Sequence, residues 1–122
     1  MIQYIRLHKR LDDLLEKYAE TEGIRRATAC SRILTECTEK MLLETPLESL
    51  SAENIRIREI GETYFIPQGR GTSGSNLGRG MRITIEKSTA RKIDLIGFQC
   101  EIPAGNLRCA MIADYFHRIG IL

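Results

Sequence analysis

Four cysteines, two histidines and a scatter of arginines are the side chains with obvious chemistry in this sequence. Cys30, Cys37, Cys100 and Cys109 form no C-x-x-C pair, and neither His8 nor His117 stands at ligand spacing from one of them, so no zinc or other metal site is expected. Cys30 and Cys37 are seven residues apart, hence on one helical face, where small thiols are commonly buried. Reduced thiols fit a cytoplasmic setting. The run Gly69-Arg70-Gly71-Thr72-Ser73-Gly74-Ser75 has the glycines of a phosphate loop but neither the G-K-[ST] that should follow nor an apolar strand before it, and reads as linker. The histidines have no acid or nucleophile beside them, so no enzyme and no cofactor is expected. The chemistry that remains is hydrogen bonding by polar side chains set at every second position. In Gln3-Tyr4-Ile5-Arg6-Leu7-His8-Lys9, Ile5 and Leu7 alternate with Tyr4, Arg6 and His8; in Met81-Arg82-Ile83-Thr84-Ile85-Glu86-Lys87, Ile83 and Ile85 alternate with Arg82, Thr84 and Glu86.

Alternation of this kind makes a strand with one face on a core and one face free. A lone strand cannot satisfy its own backbone, and each segment is the natural partner of the other. After the first strand, residues 10 to 22 form an amphipathic helix, with Leu11, Leu14, Leu15 and Tyr18 on one side and Asp12, Asp13, Glu16, Lys17 and Glu20 on the other. Gly23 ends it, Ile24-Arg25-Arg26 makes a tight connection, and a second helix runs from about Ala27 to Leu43 with Pro46 beyond it. Its apolar stripe is Ala29, Cys30, Ile33, Leu34, Cys37, Met41 and Leu42.

A shift of 78 positions, the distance from Ile5 to Ile83, brings this unit onto the end of the chain without a gap. Ile5 and Leu7 fall on Ile83 and Ile85, Leu15 and Tyr18 on Ile93 and Ile96, Ile24 on Ile102, and Ile33-Leu34 on Met111-Ile112. The copy departs where Gly23 becomes Glu101, Leu14 becomes Lys92 and Arg25-Arg26 become Pro103-Ala104, and Gly97 weakens its first helix. Few identities but one shared pattern of periods and connection lengths marks an internal repeat. The chain divides into repeats at 1–45 and 81–122 with an insert at 46–80. In the insert, Ile55 to Arg58 and Thr63 to Ile66 are expected to form a short hairpin, and residues 68–80 a flexible tether whose arginines, Arg70 and Arg79, keep it solvated.

One such unit cannot bury its helices alone, whereas two can. The fold expected is mainly α with a two-stranded antiparallel β-ribbon: Ile5, Leu7, Ile83 and Ile85 close the core while Tyr4, Arg6, His8, Arg82, Thr84 and Glu86 face outward. A two-stranded ribbon fits the DNA major groove, where Arg bridges guanine acceptors and Thr meets a base edge or a thymine methyl. Backbone amides opening the second helices, near Arg26-Ala27-Thr28 and Ala104-Gly105-Asn106, would then face phosphates.

The run I-R-L-H-K-R-L-D-D-L-L-E-K-Y-A-E-T-E-G-I-R-R-A resembles the ribbon-helix-helix DNA-binding family (the MetJ, Arc and CopG type), with a short alternating strand, an L-x-x-L first helix ending in A-x-x-x-G at Ala19 and Gly23, and a small turn. Residues 3 to 43 carry the likeness best; R-I-T-I-E-K-S-T-A-R-K-I-D-L-I-G carries it at the strand and loses it through the turn. The resemblance implies two ribbon-helix-helix repeats forming an intramolecular pseudo-dimer, like the tandem forms among accessory proteins of conjugative or T-DNA-type transfer. Carried over by position, the outward strand residues are Ile2, Tyr4 and Arg6, and Gly80, Arg82 and Thr84. Ile2 and Gly80 are poor base readers, which leaves Tyr4, Arg6, Arg82 and Thr84 as base contacts. His8, Arg25, Arg26, Thr28 and Asn106 are the phosphate contacts, with a weaker grip expected at Asn106.

The resemblance does not separate a DNA-transfer accessory protein, which the tandem form favours, from a repressor of the same fold. An antitoxin-like module gripping a protein through the insert is the other reading, since long loops are often functional. The expected partners are double-stranded DNA and other DNA-processing proteins, with the chain a monomer or a weak homodimer on DNA. A net charge of +2 permits nucleic-acid binding without arguing for it. With neither a secretory signal nor an apolar run long enough to span a bilayer, no membrane association is expected.

Overall fold

The computed structural model describes residues 1–52, 55, 57, 61–66 and 76–122. Among the described residues the chain is mainly helical, with a two-stranded antiparallel sheet and four helices of 13 to 19 residues. In order these are β1 (Ile2–Ile5), α1 (Lys9–Glu22), α2 (Arg26–Glu44), β2 (Met81–Thr84), α3 (Lys87–Gln99) and α4 (Ala104–Arg118), with 3-10 turns at Leu47–Ser49 and Glu62–Tyr64 between α2 and β2.

The strands pair in the register Ile2 with Thr84, Gln3 with Ile83, Tyr4 with Arg82 and Ile5 with Met81. Ile85 N–H adds a bond to Met1 O of 2.9 Å at one end. Period-2 alternation then sorts the side chains as the sequence requires. Ile5, Leu7, Met81, Ile83 and Ile85 are buried, and Ile2, Tyr4, Arg6, Arg82, Thr84 and Glu86 are exposed. Beneath the ribbon α2 packs against α4, α1 against α2, and α3 against α4. Leu11, Leu15, Ile33, Leu34, Ile93, Ile96, Leu107, Met111, Ile112 and Phe116 fill the centre, and full burial of a side chain of this size stabilises by about 1.5–3 kcal/mol.

The two helix-to-helix turns are built alike. Gly23 has φ +68, and Ile24 N–H donates to Ala19 O at 3.0 Å. Glu101 has φ +58, and Ile102 N–H donates to Gly97 O at 2.9 Å. The second turn therefore adopts the left-handed conformation without the glycine that makes it easy. Gly97 is no weak point: a Cβ there would stand 2.7 Å from Ile102 O, so its bareness lets the turn close.

Three expectations are corrected. Asp12, assigned from periodicity to the solvent side of α1, is 2% exposed. It sits inside because Arg26, across the turn, and Arg79, just before β2, supply its partners. Part of the hairpin expected in the insert, residues 56 and 58–60, lies outside the described residues; Ile57 and Gly61 are helical and Glu62–Tyr64 is a 3-10 turn, so no strand forms among the described residues there. Packing decides this, because Gly61 lies so close on α4 that a Cβ would come within 2.6 Å of Ala110 Cα. Most of the tether, Arg70 included, also lies outside the described residues, but its end is docked. Lys9 N–H donates to Asn76 O at 2.7 Å, Gly78 N–H donates to Leu7 O at 2.8 Å, and Leu77 bridges to His8.

Candidate nucleic-acid interface

The outer face of the ribbon carries Tyr4, Arg6, Arg82 and Thr84, all exposed, because each stands one residue from a buried neighbour in its strand. Tyr4 and Arg82 are direct cross-strand partners. Tyr4, 67% exposed, lays its phenol over Gly80, where an added Cβ would collide with the ring and hydroxyl. The bare position at Gly80 is thus covered by the side chain of the opposite strand.

At one flank of the ribbon α2 begins. Arg25 is its N-cap residue, exposed and without a side-chain cap bond, and Ser31 Oγ donates to Thr84 O at 2.6 Å, which fixes α2 to β2. Between them lies a concavity of about 280 Å³ lined by Arg25, Ala27, Thr28, Ser31, Arg32, Arg82 and Thr84. Four of the residues expected from the sequence (Arg25, Thr28, Arg82 and Thr84) therefore meet at one place. Among the described residues, no ion pair or side-chain hydrogen bond engages the guanidinium of Arg6, Arg25, Arg32 or Arg82. Unpaired guanidiniums beside a helix N-terminus, where backbone N–H groups and the helix dipole also favour negative charge, make this flank suited to a phosphate.

Arg32 is a residue that sequence reading passed over. Its signal was present: Arg25, Thr28 and Arg32 are spaced three and four apart, which puts them on one helical face.

Three of the expected phosphate contacts sit elsewhere. Arg26 is turned inward, its Nη1 on Asp12 Oδ1 and its Nη2 3.4 Å from Gly80 O, so its charge serves the core rather than the surface. The Asp12 carboxylate also receives Arg79 Nε at 3.2 Å, and Arg79 reaches Glu16 at 3.0 Å. These contacts hold the guanidinium of Arg79 above its usual range, the bonds to the two carboxylates being the main cause. Asn106 is buried in α4, where its Oδ1 accepts from Ile66 N–H at 2.9 Å. His8, expected on the exposed face, is half-buried as the N-cap of α1. Its Nδ1 accepts from Arg10 N–H at 3.1 Å and its ring stands edge-on to Tyr64 at 5.5 Å. Burial, then the charge of Arg10, lowers its pKa.

The four cysteines are buried thiols, and burial pushes Cys30 and Cys37 up to about 12, which leaves them unreactive. Among the described residues no group of three or more His, Cys, Asp or Glu side chains could hold a metal ion, and no helix is long and apolar enough to cross a membrane.

Comparison with known proteins adds no relative to this geometry: no family model, no curated protein and no solved structure matches the chain.

Proposed function

We propose that this chain binds double-stranded DNA by laying its ribbon in the major groove, as two ribbon-helix-helix repeats joined in one pseudo-dimer. The observation that carries the reading is the pairing of Tyr4 with Arg82. These are equivalent positions under the 78-residue shift, so the ribbon has the register that two identical strands would adopt around a twofold axis. The matched turns support it too, since the bonds from Ile24 to Ala19 and from Ile102 to Gly97 are also related by that shift. Of six outward positions, Arg6, Arg82 and Thr84 offer donors suited to base edges, and Tyr4 offers a hydroxyl and an aromatic face. Arg25, Thr28, Arg32 and the start of α2 would hold the backbone and set the register on the duplex.

A single chain with two repeats favours a cytoplasmic accessory role in DNA transfer over repression, with other DNA-processing proteins as further partners. The test is titration of random and selected duplexes at two salt concentrations. Binding that weakens steeply with salt, and that is tighter on the selected site, is the expected result. Absence of saturable binding to any duplex would reject the reading.

A further inference from the structure

The residues that make the cationic concavity on α2 have counterparts on α4 under the same shift, and three of these four are buried, Pro103 being exposed. Arg25, Thr28, Ser31 and Arg32 correspond to Pro103, Asn106, Cys109 and Ala110. The first set opens onto Arg82 and Thr84 of β2. Over the second set lies the insert: Gly61 sits against Ala110 at a distance that leaves no room for a Cβ, Ile66 N–H donates to Asn106 Oδ1, and Tyr64 stands on His8 just after β1. The difference extends to charge, because Ala110 replaces Arg32 and Pro103 replaces Arg25. It extends to packing as well. α2 bonds directly to its strand through Ser31, whereas α4 packs against the Glu62–Tyr64 turn.

We infer that residues 61–66 form a built-in strap over the second repeat's phosphate-binding flank, so that the chain grips the DNA backbone on one side of its ribbon only. The inference rests on the DNA-binding reading and narrows it. A duplex seated on the ribbon meets guanidiniums and a helix N-terminus at the α2 flank, and at the α4 flank it meets the strap. The grip is lopsided, and the binding site has a direction.

The experiment is ethylation interference with the full chain on a duplex selected from a random pool. Interfering phosphates confined to one flank of the contacted bases are expected. Arg32→Ala should weaken interference at one phosphate on that flank and lower the slope of log affinity against log salt by about 1. Gly61→Val, which forces the strap off Ala110, should bring in interfering phosphates on the opposite flank, met there by the backbone N–H groups near Ala104-Gly105-Asn106 rather than by guanidiniums. Should circular dichroism show that variant unfolded, Asn106→Ala, which removes the strap's hydrogen-bond acceptor, is used with the same expectation. Equal interference on both flanks of the wild-type complex overturns the strap while leaving DNA binding intact. A folded strap variant whose pattern matches wild type also overturns it, and failure to select any duplex overturns both readings.

Discussion

Asp12 and Arg26 form an ion pair in which the carboxylate is 2% exposed and the guanidinium 20% exposed, and through it the first turn of α1 is tied to the first turn of α2. Arg79 reaches the same carboxylate from the segment leading into β2, so one buried charge joins three parts of the chain. Burying a carboxylate is costly unless its oxygens are bonded, and here both are.

Removing the carboxylate leaves Arg26 partly buried without its counter-charge. Asp12→Ala is therefore expected to lower the unfolding free energy by about 2–4 kcal/mol, measured by urea denaturation. Asp12→Leu combined with Arg26→Met should recover most of that loss, since an apolar pair in the same space avoids desolvating two ions. Arg79→Ala should have a much smaller effect because its side chain is exposed. Near-wild-type stability of Asp12→Ala would show that the network carries no weight.

The two turns yield predictions of opposite sign. Gly23 holds φ +68 at little steric expense, whereas Glu101 holds φ +58 against its own Cβ. Gly23→Ala should destabilise by about 1 kcal/mol and Glu101→Gly should stabilise by about 0.5–1 kcal/mol, the gain being trimmed by the greater freedom glycine gives the unfolded chain. Shifts of the same sign in the two denaturation midpoints would rule out a shared turn geometry.

These turns also show what the sequence made legible. The ribbon and the four helices were readable because each side chain's place follows from its own period, and Tyr4, Arg6, Arg82 and Thr84 needed only alternation to be placed outside. The first turn was announced by Gly23; the second was hidden, because Glu101 carries no local signal for a left-handed backbone. The place of Asp12 could not be read from α1 alone, since its partner Arg79 is 67 residues away and only their meeting makes burial tolerable. The burial of Asn106, expected as a phosphate contact, is invisible in α4 for the same reason: the backbone that bonds it, at Ile66, comes from a segment whose alternation imitates a strand. Local pattern locates faces, but it does not report what another part of the chain lays over them.

His8 gives the fold a pH dependence. Burial, followed by the charge of Arg10, lowers its pKa in the folded state, and its unprotonated Nδ1 accepts the capping bond from Arg10 N–H. The unfolded chain then binds the proton more readily, so stability rises with pH across the window between the two values. The contribution is complete above the ordinary histidine value near 6.5 and is lost as pH falls through the lower folded value. Chemical denaturation at a series of pH values should show this slope, and His8→Asn, which keeps a side-chain cap acceptor without titrating, should flatten it. An unchanged slope in that variant would assign the dependence to other groups.

If the ribbon reads bases, its two arginines act at different places in the site. Arg82 pairs with Tyr4 at the centre of the ribbon, whereas Arg6 lies beyond Ile5 toward one end. Both are exposed, and among the described residues neither guanidinium is engaged by an ion pair. A bidentate contact to guanine is worth about 1–3 kcal/mol of discrimination. Arg6→Ala and Arg82→Ala should each weaken binding to a selected duplex by about that amount, and each should relax preference at a different base position, read by binding to single-substitution duplexes. Losses of equal size on selected and random DNA would make both residues phosphate contacts, and the reading of bases would pass to Tyr4 and Thr84.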